Sequence, residues 1–135
     1  QRDKTRAFIH KIKTFVFEIR SRDFDFYSLN AGIEEFGRKQ MLSQKQIYNI
    51  QLVIEELVMN KLLARQGACV DITISVGYAE ENGAVELTLC YVGAPHNPLE
   101  DDVEEDDLSV RILTRLIKTR SCVSAEGRNK LRLTI

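Results

Sequence analysis

The sequence predicts an α+β fold, a two-layer α/β sandwich with a mostly antiparallel sheet and its helices on one face. Three observations lead to this fold class. Apolar residues alternate with period two in several short segments, and helix-period runs fill the first half and return near the end. The strands of the second half are joined by short turns that contain glycine, as in hairpins. Hairpin-joined strands pair antiparallel, which leaves the helices to stack together against one face.

Composition bounds the class of protein. The 135 residues are 44% hydrophobic and 29% charged, with 7 Gly and 2 Pro, which fits one compact domain and excludes collagen-like, mucin-like and disordered chains. No apolar run approaches the ~20 residues that cross a bilayer, and no leader pattern opens the chain, so we expect no membrane insertion. We assign 14–135 to a single domain and 1–13 to an N-terminal segment or linker.

The three cysteines, Cys69, Cys90 and Cys122, lie far apart among apolar neighbours. An odd number without closely spaced pairs argues against a disulfide framework or a zinc site. We therefore expect buried, reduced thiols and a cytoplasmic protein.

In the first half, the alternation from Thr14 to Arg20 predicts a strand, and apolar residues three and four apart predict an amphipathic helix over 27–41. Ser43 occupies an N-cap position with Gln46 three residues later, the pattern of a capping box. The longest helix is then expected from Gln44 to about Arg65, ending at Gly67. Its apolar residues cover more than one face, so we expect much of it to be buried.

In the second half, alternating segments over 70–76 and 85–89 flank the turn residues 81–83, which predicts a hairpin. Gly93 and the two prolines of 91–98 predict irregular structure there.

Helical periodicity over 108–118 predicts another core helix. A short strand at 122–125, a turn over 126–129 and a strand at 131–135 are expected to close the chain.

The net charge of −1 is the sum of two unlike parts. Residues 100–107, EDDVEEDD, contain seven of the 20 acidic residues, so the 19 Lys and Arg residues outnumber the acids elsewhere, and the last quarter of the chain is basic. Solvated faces are the ordinary interpretation of both parts. We expect no nucleic-acid partner, because aromatic residues are not interleaved with the basic ones and no binding motif is present.

Polar residues interrupt the apolar long helix in the segment VIEELVMN. Glu56 and Asn60 are four residues apart, so their side chains leave one helical face a single turn apart. Leu52, Val53 and Leu63 lie close on that face, which predicts a carboxylate and an amide in or beside the core. An unpaired buried carboxylate costs several kcal/mol, so it needs a partner. For an isolated E-x-x-x-N pair, a structural partner is the ordinary explanation.

This arrangement resembles the GHKL family of histidine-kinase-like ATPase domains, most closely the bacterial anti-sigma-factor serine kinases. The resemblance lies in the order of elements over roughly Thr14 to Ile135. A long helix with E-x-x-x-N is followed by a hairpin that enters a Gly-Pro loop, an acidic segment, a helix and two closing strands. It implies ATP and Mg²⁺ as cofactors, with Asn60 holding Mg²⁺ between the phosphates and Glu56 as the catalytic base or the group that orients a water.

Two parts of the chain depart from the family pattern. Where the family has an Asp that accepts a hydrogen bond from the adenine amino group, this chain has Tyr91, although Gly93, Pro95 and Pro98 match. A phenol is bulkier than a carboxylate and uncharged, so it is large enough to fill the adenine pocket. At the last helix, where the family has Gly-x-Gly against the phosphates, residues 107–110 read DLSV, and the acids before them repel a triphosphate.

Our leading hypothesis is a regulatory domain of this fold with weakened or lost ATP binding. It would act through contacts with a protein partner such as a sigma factor, an antagonist or a fused domain. The nucleotide-binding candidates are Asn60, Tyr91, Gly93 and Pro95. One alternative is an active Mg-ATP-dependent serine protein kinase with Glu56 as base. Another is an interaction or dimerisation module in which Glu56 and Asn60 have structural partners only. The sequence leaves open whether two copies form a homodimer.

Overall fold

A computed structural model describes residues 13–100 and 108–135, and this part of the chain has an α+β fold with a five-stranded, open antiparallel sheet and three helices. The strands are β1 (Lys13–Ile19), β2 (Ile72–Ala79), β3 (Ala84–Val92), β4 (Thr119–Ala125) and β5 (Arg128–Thr134). The helices are α1 (Phe26–Lys39), α2 (Gln44–Ile54, which continues through the π-helical segment Glu55–Leu62 into the turn Leu63–Arg65) and α3 (Leu108–Leu116). The predicted two-layer α/β sandwich is confirmed.

The sheet has the strand order β1-β2-β3-β5-β4, and each neighbouring pair is antiparallel. Residues paired across neighbouring strands project from the same face, so the register defines rows of side chains. One such row crosses all five strands: Phe17, Ile74, Leu89, Leu131 and Cys122. The inward rows are mainly apolar on β1, β2, β3 and β5, where hydrophobic residues occupy most alternate positions, whereas the inward positions of β4 include Arg120 and Ser124.

The core lies between this face of the sheet and the helices. Fully buried apolar side chains come from α1, α2, the three central strands and the end of β1, and they include Ile19, Leu29, Ile33, Ile54, Leu57, Ile74, Leu87, Leu89 and Leu131. The opposite face of the sheet is open to solvent, as shown by Val16, which is 53% exposed. One buried face and one open face agree with an antiparallel sheet that the helices cover on one side.

Both long helices begin at side-chain caps. Asp25 accepts hydrogen bonds from the backbone N–H groups of Tyr27 and Ser28 ahead of α1. The capping box predicted for α2 is confirmed, since Ser43 accepts from the Gln46 N–H and the Gln46 side chain accepts from the Ser43 N–H. These contacts satisfy N–H groups that would otherwise lack a partner in the first turn.

The predicted span of the long helix, Gln44 to about Arg65, is confirmed, and Gln66 is already extended, so the chain leaves the helix just before Gly67. Two other sequence-based boundaries are corrected. Tyr91, expected in an irregular segment, is part of β3, because the alternation of apolar residues continues to it between two neighbouring strands. Arg128 and Asn129, expected in the final turn, begin β5, and only two residues connect β4 to β5.

The expectation of buried thiols is wrong for Cys69, which is exposed, while Cys90 and Cys122 are half-buried, and all three are free. Cys69 lies between the long helix and β2, outside both packed layers. In the described residues no helix has the length and apolar character needed to span a membrane. The expectations for residues 1–12 and for most of the acidic run, 101–107, fall outside the described residues.

Candidate functional site

A cavity of about 360 Å³ lies where the long helix ends, β3 ends and β5 begins. It is lined by residues from the end of the helix, from the segment after β3 and from β5: Leu62, Ala64, Arg65, Gln66, Tyr91, Val92, Gly93, Ala94, Pro95, His96 and Asn129. Three residues that the sequence predicted for a nucleotide site, Tyr91, Gly93 and Pro95, are therefore brought together. Glu56 and Asn60 do not line this cavity.

Tyr91 forms the inner wall of the cavity. Its side chain is 2% exposed, because it belongs to the inward row of the sheet between Ile72 and Asn129. The phenol hydroxyl donates a hydrogen bond to the His96 carbonyl oxygen at 2.5 Å, and its oxygen lies 3.8 Å from the Cys122 sulfur. The hydroxyl is thus committed to the loop that follows β3, and the position carries no carboxylate.

Asn129 holds this loop on its other side, and sequence reasoning missed it. It is 2% exposed. Its Oδ1 accepts from the His96 backbone N–H at 3.0 Å and from the Ser124 hydroxyl at 2.6 Å. Its Nδ2 donates to the carbonyl oxygen of Ala94 at 3.3 Å. Its place after Glu126-Gly127 is typical of a turn residue, but the alternation Leu133, Leu131 continued by two residues would have placed it on the inward face.

Gly93 and Pro95 set the path of the same loop. Gly93 has φ +132, a conformation that L side chains rarely adopt, and its N–H donates to the Gly127 carbonyl at 2.9 Å. Pro95 is exposed and has no N–H to donate. The matching Gly-x-Pro pattern therefore has a local structural explanation, a fixed turn out of β3, besides the one that the family resemblance implies.

Gln66 forms the opposite wall and ties the end of the helix to the sheet. It is 8% exposed, its Nε2 donates to the Val92 carbonyl at 3.0 Å, and its Oε1 accepts from the Asp71 N–H at 2.9 Å. The Arg22 guanidinium donates to the carbonyl oxygens of Gln66 and, at 2.8 Å, of Leu63. The Leu63 carbonyl also accepts the Gln66 backbone N–H at 3.3 Å, so Arg22 adds a second donor there and a side-chain donor to the Gln66 carbonyl at the end of the helix.

The acidic side chain closest in sequence to this wall, Asp71, is paired with cations. The Arg20 guanidinium lies 3.0 Å from one of its carboxylate oxygens and Arg128 lies 3.8 Å from the other. Arg20 directly follows β1 and Arg128 begins β5, while Asp71 directly precedes β2. Asp71 therefore contributes to holding the strand ends together.

Glu56 and Asn60 pair with each other on the π-helical segment. The Asn60 amide donates to Glu56 Oε1 at 2.9 Å, and Glu56 is half-buried while Asn60 is exposed. The pair lies at the surface beside the core. Asn60 is therefore the hydrogen-bonding partner that the half-buried Glu56 carboxylate needs. The π winding was not predicted, although the buried apolar pairs at 53/54, 57/58 and 62/63 recur every four to five residues, which is wider than an α-helical turn.

A bound Mg²⁺ would find few protein oxygens here. Magnesium takes six oxygen ligands in octahedral geometry, and Glu56 with Asn60 offers side-chain oxygens from only two residues, one of them already accepting the amide. Within the described ranges, no three His, Cys, Asp or Glu side chains are grouped closely enough to hold a metal ion. Most ligands would therefore have to come from water and a nucleotide's phosphates, so the residues present do not form a cation site on their own.

At the start of α3, the side chain of Leu108 is 64% exposed. A helix start that takes phosphate presents free backbone N–H groups, and glycine allows the closest approach. Leu108 and the half-buried Ser109 occupy this helix start instead.

No protein-family model matches the sequence, and no significantly similar curated protein is found. The fold class therefore stands on the structure, while the histidine-kinase-like assignment remains a prediction from the sequence.

Proposed function

We propose that this chain is a regulatory domain of the histidine-kinase-like ATPase type that does not use ATP productively and acts through protein contacts. The proposal combines the E-x-x-x-N helix within a matching order of elements with the local geometry at the cavity. The observation that carries it is the burial of Tyr91, with its hydroxyl donating to the His96 carbonyl.

Tyr91 removes the group that would recognise adenine. In the family pattern a carboxylate accepts the adenine amino group, whereas here the hydroxyl hydrogen is used within the chain and the ring occupies the inner wall. A nucleobase entering the cavity would have to compete with this hydrogen bond or displace the ring. Breaking a buried hydrogen bond without replacing it costs about 1–3 kcal/mol, which lowers affinity by roughly a factor of 5 to 150.

The part of the chain that would contact the nucleotide's phosphates also departs from the family pattern. Leu108 and Ser109 replace small residues at the start of α3, and the sequence places seven acids in 100–107, directly before it. Like charges disfavour a triphosphate at this position. Both ends of the nucleotide would therefore bind less well than the family pattern implies.

The kinase alternative has one supporting observation, the hydrogen-bonded Glu56–Asn60 pair at the helix surface. In that alternative Glu56 orients or deprotonates the attacking serine hydroxyl, and Asn60 holds the cation that a nucleotide brings. The two functions differ in whether Mg-ATP binds.

Calorimetric titration of the purified chain with Mg-ATP tests the proposal. We expect no saturable binding below roughly millimolar ATP, which corresponds to less than about 4 kcal/mol of binding free energy. The variant Asn60→Ala is titrated in parallel, with Asn49→Ala as control, because Asn49 lies on the same helix in its α-helical part.

Saturable micromolar binding that Asn60→Ala abolishes and Asn49→Ala preserves would refute the proposal and favour the kinase. Phosphorylation of a serine in a co-incubated partner would do the same. Absence of Mg-ATP binding in the wild type, in Asn60→Ala and in Asn49→Ala supports the nucleotide-independent function.

A further inference from the structure

A groove with an apolar floor and a cationic rim runs between α2 and α3, away from the cavity at the end of β3. Two adjoining hollows of about 470 and 330 Å³ form it, and Asn49, Arg115 and Leu116 line both. None of the candidate nucleotide residues lines either hollow. The groove is therefore a second surface, separate from the candidate site.

The floor of the groove presents apolar side chains that the fold leaves partly uncovered. Leu52 from α2 and Ile112 and Leu116 from α3 are each half-buried. Leu108, at the end of the groove, is 64% exposed. Covering such surface removes apolar area from water, so an apolar partner would gain from binding here.

The rim is positively charged. Its charged side chains are Lys45 from α2 together with Arg111, Arg115 and Lys118 from α3 and the residues just after it. No Asp or Glu is found among the described residues that line either hollow. Of the ion pairs among the described residues, none involves these four side chains.

We propose that this groove binds an acidic amphipathic segment of a partner protein. Its apolar residues would cover the floor and its carboxylates would pair with Arg111 and Arg115. The inference deepens the proposed function, on which it rests, by giving the protein contact a surface and its partner a chemistry.

The geometry favours a short helical segment. The α2 residues that line the groove lie between Lys45 and Leu52, which is about 12 Å at 1.5 Å per residue and matches roughly two to three turns of a bound helix. Grooves between helices commonly take amphipathic helices whose apolar residues recur at i, i+3 or i+4 and i+7. Carboxylates flanking such a stripe would reach the rim on both sides.

A nucleic acid fits this positively charged groove less well than an acidic amphipathic peptide. A phosphate backbone would pair with the cations but would leave the floor of Leu52, Ile112 and Leu116 uncovered. Bases need aromatic side chains for stacking, and no aromatic residue is among the described residues that line either hollow.

The probe is a fluorescein-labelled helical peptide of about 12 residues, with Leu at i, i+3/i+4 and i+7 and Glu at the flanking positions. Fluorescence anisotropy measures its affinity for the whole chain. One comparison peptide carries Gln for every Glu and a second carries Ala for every Leu. We expect both changes to weaken binding at least tenfold, and we expect rising salt to weaken the binding of the Glu peptide.

The double variant Arg111→Glu/Arg115→Glu is expected to raise the Kd of the Glu peptide at least tenfold. Its control, Lys130→Glu/Arg132→Glu, changes net charge by the same amount on the exposed, opposite face of the sheet and is expected to alter Kd less than threefold. Circular dichroism melting checks that both double variants remain folded. A gentler variant, Leu108→Ser, is expected to weaken binding at an exposed position where folding is little affected.

Equal loss in the two double variants would overturn the proposal, because binding would then follow net charge alone. It would also be overturned by equal binding of the Glu and Gln peptides, or by no binding of the Glu peptide.

Single-stranded oligonucleotide and anionic phospholipid vesicles serve as competitors. Tighter binding of either at Arg111 and Arg115 would assign the groove to that class of ligand instead. Failure of the peptide leaves the Mg-ATP result unaffected, and Mg-ATP binding leaves the peptide result unaffected, so the two proposals fail separately.

Discussion

The hydroxyl of Tyr91 donates its hydrogen bond to the carbonyl oxygen of His96, across the end of β3 and the three residues that follow it. The donor comes from the buried face of the sheet and the acceptor from the rim of the cavity. This bond fixes the loop against the sheet, and it places an aromatic ring where the family resemblance implies a carboxylate.

The substitution Tyr91→Phe removes that bond and keeps the ring. We expect the free energy of unfolding to fall by about 1–2 kcal/mol, because the partly buried His96 carbonyl loses its hydroxyl donor and keeps the weaker Cys122 thiol at 3.9 Å. Urea denaturation measures the change. Tyr48→Phe is the control, since Tyr48 is 58% exposed, and it is expected to change stability by less than about 0.5 kcal/mol. Equal effects in the two variants would show that the Tyr91 hydroxyl contributes nothing to folding.

The substitution Asn129→Ala removes both the acceptor for the His96 N–H and the donor to the Ala94 carbonyl. Because these backbone groups are partly buried, we expect a loss of about 2–3 kcal/mol in the free energy of unfolding. Asn82→Ala is the matched control, since Asn82 also accepts one backbone N–H, that of Ala84, but in an exposed turn. A loss below that of the control would mean that the loop after β3 does not depend on Asn129.

The order of helices and strands could be predicted from the sequence because hydrophobic periodicity and turn residues are local signals. The capping box at Ser43 and the alternation in β2 and β3 each involve residues close together in the chain, and these predictions are confirmed. The sandwich follows from them, because antiparallel strands with one apolar face need a covering layer.

The cavity depends instead on contacts between distant parts of the chain. Asn129 contacts Ala94 across 35 positions, and Gln66 contacts Val92 across 26. The alternation of Leu133 and Leu131 could have placed Asn129 on the inward face, but nothing in the local sequence identifies the distant partners of either amide. Tyr91, Gly93 and Pro95 were singled out only through a family resemblance, and the structure gives each of them a local role as well.

The substitutions Asn60→Ala and Glu56→Gln test whether the pair on the π-helical segment matters for folding. The Asn60 side chain is exposed, so we expect each variant to remain within about 0.5 kcal/mol of the wild-type free energy of unfolding. Chemical denaturation of the two variants and the wild type provides the comparison. A loss above about 1.5 kcal/mol in either variant would favour the module in which these residues have a structural role only.

The substitution Gly37→Ala tests the contact between α1 and α2. A Cβ at this position would lie 2.4 Å from Ile47 Cγ1, and Ile47 is 1% exposed and cannot move into solvent. Overpacking of this kind costs about 1–3 kcal/mol, which thermal and urea unfolding would both detect. In the control Gly67→Ala the new Cβ meets no atom within 4 Å, so that variant is expected to be neutral or slightly stabilised through a less flexible unfolded chain. A neutral Gly37→Ala would show that the two helices separate easily.

The Asp25 N-cap of α1 predicts that the stability of the protein depends on pH in the acid range. Hydrogen bonds from the Ser28 hydroxyl and from the backbone N–H groups of Ser28 and Tyr27 hold the pKa of Asp25 below its ordinary value of 3.8. Because the folded-state pKa is lowered, the stabilisation by this cap is complete above the ordinary pKa and is lost as the pH falls through the lowered one. A carboxyl-carbon NMR titration should therefore show Asp25 titrating below its ordinary value. In Ser28→Ala the pKa of Asp25 should rise, because the hydroxyl donor is lost. The control Ser121→Ala, in β4, should leave the pKa of Asp25 unchanged. An unshifted Asp25 in the wild type would mean that the cap does not persist in solution.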